Sequence, residues 1–254
     1  MIQIQQIPAL SDNYIYLIHE TESGETAVID PAESQSVLAQ LEHNNWALKF
    51  ILNTHHHADH VGGNQALKAV TGCQIAGSAH DAHRIPEIDT LLQHNDTLYL
   101  GDYAIQIIEC FGHTLGHIAF YIPKANALFC GDTLFSMGCG LLFEGTAEQM
   151  WHSLQQFIQL PKNTLIYCAH EYSLANARFA LSIEPNNPQL QAHYKKIRGL
   201  RKQQKSTIPS NLQQESLINP FLRVNSPEIR KTLDMPDDSE LAVFTELRHR
   251  KDTF

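Results

Sequence analysis

Six consecutive residues, His55-His56-His57-Ala58-Asp59-His60, hold the densest chemistry in the chain. They follow the apolar run Phe50-Ile51-Leu52, which reads as a buried strand, and precede Gly62-Gly63. If the backbone stays extended past the strand end, alternate side chains share a side. That sets His55, His57 and Asp59 together, with His60 turning off beside them. Imidazole and carboxylate are ligands for divalent transition metals. One ion cannot easily use all four from so short a loop, whereas two adjacent ions can. The spacing His-x-His-x-Asp-His is therefore the signature of a dinuclear metal site, and an accidental cluster of solvated histidines is the weaker reading. Three further residues at the ends of apolar runs, His113, Asp132 and His170, bring the possible ligands to seven, all imidazole or carboxylate.

The elements that must position these residues alternate through the first two thirds of the chain. Strand patterns cover Ile2 to Ile7, Tyr14 to Ile18, Ala27 to Ile29 and Leu48 to Asn53, with Asp30-Pro31 read as a strand stopper. Ser34 is expected to cap a helix carrying Val37, Leu38 and Leu41. A second helix should open at Gly62-Gly63 and end at Gly72. A hairpin is predicted over Thr97–Leu100 and Tyr103–Glu109, turning at Gly101-Asp102. Strands follow at His117–Ile122, Ala127–Cys130 and Thr164–Cys168, with a Thr146-capped helix between the last two. Beyond about residue 172 strand signals stop. Helices are expected at Leu174–Ser182, Gln189–Gln204, Leu212–Leu217, Pro227–Leu233 and Asp238–Arg250. The fold class expected is α/β (α+β), with domains 1–172 and 173–254.

Composition narrows the function classes. The chain has 254 residues, 43% of them hydrophobic, and a formal net charge of −9. That charge disfavours nucleic acid or an acidic membrane as partner. No apolar run approaches bilayer length, and the N-terminus has neither the basic nor the apolar region of a secretion signal. The five cysteines are scattered, without a Cys-x-x-Cys pair. This fits a reduced, cytoplasmic protein, expected to be a monomer, whose cysteines are small buried hydrophobes.

The motifs His55-x-His57-x-Asp59-His60, Gly112-His113-Thr114-x-Gly116-His117, Gly131-Asp132-Thr133 and Ala169-His170 resemble the successive motifs of the metallo-β-lactamase superfamily. More narrowly, the chain resembles the hydroxyacylglutathione hydrolase (glyoxalase II) family. That likeness adds Asp12-Asn13-Tyr14, Phe143-Glu144-Gly145-Thr146, His170-Glu171-Tyr172, Asn219-Pro220-Phe221-Leu222-Arg223 and Arg248-x-x-Lys251-Asp252. It implies an αββα sandwich with the site at one sheet edge, followed by a small all-α substrate-binding domain. It implies that His55, His57 and His113 hold one metal and Asp59, His60 and His170 a second, with Asp132 bridging. Zinc is the implied metal, with iron or manganese as alternatives. Two cations sharing a water lower its pKa enough to supply hydroxide at neutral pH. Asp59 and Asp132 would hold that nucleophile against the thioester carbonyl of an S-(2-hydroxyacyl)glutathione, S-D-lactoylglutathione foremost. The resemblance further implies that Arg248 and Lys251 grip the glycine carboxylate of glutathione and that Tyr172 hydrogen-bonds its peptide portion. Leu141 and Phe143 occupy other substrate-contact positions. Read alone, the basic run at residues 248–251 is also how helices often end.

Two departures from the family pattern stand out. Cys110-Phe111 precedes Gly112 where the family usually has Thr-Pro. Leu141 stands where it normally has Lys or Arg, which removes a charged donor to the glutathione backbone. The second reading is accordingly the same hydrolase fold acting on another thioester, ester or lactone. A mononuclear-iron persulfide dioxygenase shares the early motifs but lacks the helical region. A non-catalytic metal-binding or scaffold protein finds no support in a complete ligand set. His117 is expected to pack near the site. His43, His80, His83, His94, His152 and His193 are expected at the surface.

Overall fold

The apolar runs of the first half become two sheets in a computed structural model that describes residues 1–254. Contact density divides the chain into two units, residues 1–109 with 115–131 and residues 110–114 with 132–254.

In the first unit the elements are β1 (Ile2–Ala9), β2 (Asn13–Glu20), β3 (Glu25–Ile29), α1 (Gln35–Asn44), β4 (Ala47–Leu52), α2 (Ala58–Val61), α3 (Asn64–Thr71), β5 (Gln74–Ser78) and β6 (Thr90–Leu92). β1 to β6 lie in one sheet in chain order. The first three strands are antiparallel; β3, β4 and β5 are parallel through the crossovers that α1 and α3 provide, and β6 pairs parallel with β5 after a loop. β7 (Thr97–Leu100), β8 (Tyr103–Glu109), β9 (Ile118–Ile122) and β10 (Ala127–Gly131) form an antiparallel meander. The period of two explains why every residue of β2 is buried. Ile15 and Leu17 pack with Val37, Leu41 and Leu67 of the helices. Tyr16, on the opposite face, meets Phe129 of β10 edge-on at 5.4 Å between ring centroids. The unit is thus a helix-covered sheet packed on a second sheet.

Three local expectations change. Ser34 occupies the cap position of α1 without a side-chain bond. Its neighbour Glu33 takes the orphan donors instead, accepting from the N–H groups of Gln35 at 2.6 Å and Ser36 at 3.1 Å. Gly62-Gly63 separates two helices, because a four-residue helix already begins at Ala58. β5 and β6 were not expected; Gly77 and small polar residues blur their patterns, and pairing beside β4 makes them strands.

The second unit contains the hairpin β11 (Leu134–Phe135) and β12 (Gly138–Cys139), α4 (Ala147–Ile158), β13 (Leu165–Cys168), α5 (Ser173–Ile183), α6 (Pro188–Lys202), β14 (Ser210–Asn211), α7 (Leu212–Ile218), α8 (Pro227–Leu233) and α9 (Glu240–Asp252). Thr146 and Gln149 form a reciprocal capping box on α4. Met137, Ala177, Ala180, Leu190, Ile197 and Ile218 make the helical core. Strand structure does not stop at residue 172. Ser210 and Asn211 pair antiparallel with Ile166 and Leu165, a two-residue strand too short to show a periodicity. No helix is long and apolar enough to cross a membrane.

Candidate metal centre

β4 delivers the first ligand loop, but the loop does not stay extended. His57, at φ −60° and ψ 146°, is the cap residue of α2. Asp59 and His60 therefore project from a helical turn, which corrects the alternation expected from sequence. His55 is buried, and its Nε2 lies 3.0 Å from His57 Nδ1. The rings of His55 and His60 are 4.0 Å apart. Asp59 Oδ2 is 3.5 Å from His60 Nε2 and accepts a 3.0 Å bond from Asn13 Nδ2.

Asp30 supports two of these ligands. The strand ends of β3 and β4 lie side by side, Ile29 opposite Leu52, so the next residue reaches the ligand loop. Its carboxylate accepts from the Thr54 N–H at 2.7 Å and the Thr54 hydroxyl at 2.6 Å. Thr54 Oγ1 is in turn 3.1 Å from His55 Nδ1, and Asp30 Oδ2 is 3.0 Å from His60 Nδ1. With Nδ1–H donating at both rings, Nε2 is the lone-pair nitrogen of each. In the sequence Asp30-Pro31 signals only a strand stop; a carboxylate ending a strand parallel to the ligand strand is the feature that marks its supporting role.

His56 points elsewhere. Its Nδ1 bonds Asp81 at 3.0 Å, and Arg84 Nη2 meets the same carboxyl at 2.5 Å. Asp81 is fully buried against Gly116, where a Cβ would lie 2.1 Å from its Oδ1. His117 is buried and stacks on His55 at 4.7 Å and 20°, which is the packing role expected of it.

The second unit carries three more donors. Asp132 Oδ2 lies 3.5 Å from His113 Nε2 and 3.4 Å from His170 Nε2. His113 Nδ1 donates to the Leu141 carbonyl at 2.8 Å, so its Nε2 also presents a lone pair. Two imidazole nitrogens thus face one carboxylate oxygen at more than hydrogen-bonding distance, an arrangement that a cation completes. The donor set fits divalent metal, and the chain has the residues to bind it.

Three exposed residues that the family resemblance assigns to substrate flank these donors. Phe143 is 63% exposed and meets the His113 ring edge-on at 5.2 Å. Tyr172 is 38% exposed and stacks on His170 at 4.8 Å, with 2° between planes. Leu141 is 41% exposed and offers only its carbonyl to His113. Arg248 is buried; its guanidinium donates to the carbonyls of Cys139 at 2.8 Å and Gly140 at 3.4 Å, and to Asp252 at 2.7 Å. Lys251 lies over the rings of Phe179 and Phe254 at 5.6 and 5.8 Å. Burial, with Arg248 nearby, holds its ammonium pKa below the usual lysine range.

Residues 10–170 match the model of the metallo-beta-lactamase superfamily, and residues 171–254 match the hydroxyacylglutathione hydrolase C-terminus. A hydroxyacylglutathione hydrolase of Methylococcus capsulatus is 52% identical over 254 residues, covering 100% of this chain and 99% of the relative. The chain belongs to the hydroxyacylglutathione hydrolase family. A relative of the same description from Rhodospirillum rubrum is 47% identical, with 100% of this chain and 99% of the relative covered. Among solved structures, ETHE1 from Myxococcus xanthus superposes with a TM-score of 0.71 at 22% identity, covering 97% of this chain and 90% of that one. The BLEG-1 B3 metallo-beta-lactamase gives 0.68 at 20% identity, with 87% and 100% covered. The αββα metallo-β-lactamase fold read from the ligand motifs is the fold of this chain, with the helical region of its family at the C-terminal end.

Proposed function

We propose that this family member hydrolyses the thioester of S-(2-hydroxyacyl)glutathiones, S-D-lactoylglutathione foremost, to glutathione and a 2-hydroxy acid. One observation carries the reading. A single chain combines all seven metal donors, inside the superfamily match, with the helical region that matches the hydroxyacylglutathione hydrolase C-terminus. The dinuclear assignment is supported by the donors that each unit carries: His55, His57, Asp59 and His60 in one, and His113, Asp132 and His170 in the other. Zinc is the metal we assign, on the borderline-soft imidazole-rich set. Cytoplasmic localisation is supported by five free, buried cysteines. We keep the domain division at 172/173, catalytic before it and substrate-binding after it, and a monomeric state.

When bound, the two cations supply a shared water of lowered pKa and polarise the thioester carbonyl. The chain's own residues prepare that step. Asp30 presents the Nε2 lone pair of His60 directly and that of His55 through Thr54, and Asn13 fixes the orientation of Asp59. Asp132 would bridge the two ions. Thiolate is a good leaving group, so no strong general acid is needed. Tyr172 and Phe143 form an aromatic border on which the substrate would lie, and Lys251 with Arg248 is the candidate grip on its glycine carboxylate.

Turnover of S-D-lactoylglutathione, an acyl-coenzyme A and a simple lactone by metal-analysed protein tests this. Preference for the glutathione thioester, lost in His57→Ala, is the expected result. Two bound metals without that preference would favour the second reading, another thioester, ester or lactone. Leu141, exposed beside Phe143 without a charge, is the observation behind that alternative.

A further inference from the structure

We propose that Arg248, Asn219 and Glu215 are positioning residues of the metal centre, holding the segment from Phe135 to Leu141 against two ligand-bearing residues. The inference rests on the metal-binding reading and not on the identity of the substrate.

The segment touches two ligand-bearing residues directly. Leu141 supplies the carbonyl that accepts His113 Nδ1–H at 2.8 Å. Gly140 donates to the Thr133 carbonyl at 3.2 Å, next to Asp132. A Cβ on Gly140 would lie 1.9 Å from the Asp132 carbonyl oxygen and 3.3 Å from His113 Nδ1. The main chain at 140 is therefore pressed onto both residues, and any shift of it moves the His113 acceptor.

What holds the segment comes from two helices, α7 and α9. Arg248 of α9 donates Nη1 to the carbonyls of Cys139 and Gly140, while Asp252 anchors its Nε at 3.0 Å and Nη2 at 2.7 Å. Phe221 lies under the guanidinium at 5.3 Å. Asn219, after α7, donates Nδ2 to the carbonyls of Phe135 and Gly138 at 3.1 Å each. Glu215 of α7 accepts from the Met137 N–H at 2.7 Å. Met137 has φ +55°, a left-handed conformation that a non-glycine residue keeps only when its surroundings hold it there. Arg248, Asn219 and Glu215 are all buried. The guanidinium donors are engaged with main-chain carbonyls and Asp252, so the cation more available to a substrate carboxylate is Lys251.

The test compares Arg248→Met, Asp252→Ala and Lys251→Met. Its readouts are zinc affinity by chelator competition, the absorption spectrum of the Co(II)-loaded protein, and circular dichroism of the metal-free protein to establish folding. Outer partners of metal ligands change affinity about 10- to 100-fold. Arg248→Met should fall in that range and alter the Co(II) spectrum while the metal-free fold persists. Asp252→Ala should move both readouts in the same direction by less. Lys251→Met should leave zinc affinity and spectrum unchanged and raise KM alone. Wild-type zinc affinity and spectrum in Arg248→Met, with only KM raised, would overturn the proposal. If Arg248→Met does not fold, Asp252→Ala decides, since Asp252 is about a third exposed and touches the centre only through Arg248; unchanged affinity and spectrum there would also overturn it. Because these readouts need no substrate, failure to hydrolyse glutathione thioesters leaves this result intact and distinguishes the two proposals.

Discussion

The ligands in the two compact units are held by opposite strategies. His55, His57, Asp59 and His60 come from six consecutive residues, and Asp30, Thr54 and Asn13 brace them from neighbouring strand ends. His113, Asp132 and His170 come from three separate segments, and their support comes from helices far along the chain. A contiguous loop carries its geometry in local backbone and needs only its tautomers fixed. Dispersed ligands need other parts of the chain to bring their backbones together. The helical region that sequence suggests is a substrate appendage is, in the structure, also bonded to the hairpin segment that touches His113 and Asp132.

The largest expected effect tests whether either half binds alone. Asp132→Ala removes the carboxylate facing both His113 and His170. It should abolish stoichiometric metal and lower kcat by more than about 100-fold, beyond the loss typical of an outer partner. Two metals retained by elemental analysis would show that the contiguous loop suffices, and the contrast would collapse.

Next comes the brace of the first set. Asp30→Asn keeps the shape but puts an amide where the His60 imidazole and the Thr54 hydroxyl both donate, so zinc affinity should fall about 10- to 100-fold. Chelator competition measures it. An unchanged constant would mean that the loop positions His55 and His60 without its neighbour.

A smaller effect is expected at Leu141, the exposed position proposed to meet substrate. Leu141→Arg restores a charged donor worth roughly 1.5–3 kcal/mol if its bond is made, and should lower KM for S-D-lactoylglutathione at constant kcat. Unchanged KM would place residue 141 out of contact.

The smallest effect is a difference in acid response. Burial, with Lys196 adding to it, lowers the His193 pKa from 6.5 to about 4. The neutral ring is thus the form favoured on folding. Its contribution is present above pH 6.5 and is lost as pH falls through 6.5 towards 4. The chain's two tryptophans fall one in each unit, Trp46 stacked on His19 and Trp151 against Phe244. In metal-free protein, Trp151 fluorescence should report this acid loss, and His193→Gln should reduce it. Equal acid profiles for both proteins would remove His193 from the account.

Much of the fold was legible because the apolar patterns and the actual packing agree. The hairpin of β7 and β8 falls where the period of two and Gly101-Asp102 place it. α8 runs from Pro227 to Leu233 as its start and stop signals require. His193 differs from the other histidines expected at the surface: it is half-buried on α6, where a polar side chain gave no sign of its neighbours. β14 was invisible for a related reason, since two residues have no periodicity and become a strand only by pairing with β13.

By itself the sequence determined the donor chemistry, because residue types and their spacing decide which ions a loop can ligate. The same holds for the family, because its motifs recur along nearly the whole chain. Only the tertiary structure decided which residues hold the donors in place. Asp30 reaches Thr54 and His60 because two parallel strands end side by side, and Arg248 reaches Cys139 because α9 packs back onto a hairpin more than a hundred residues earlier. A hydrogen bond depends on distance in space, and separation along the chain says little about that until the core has formed.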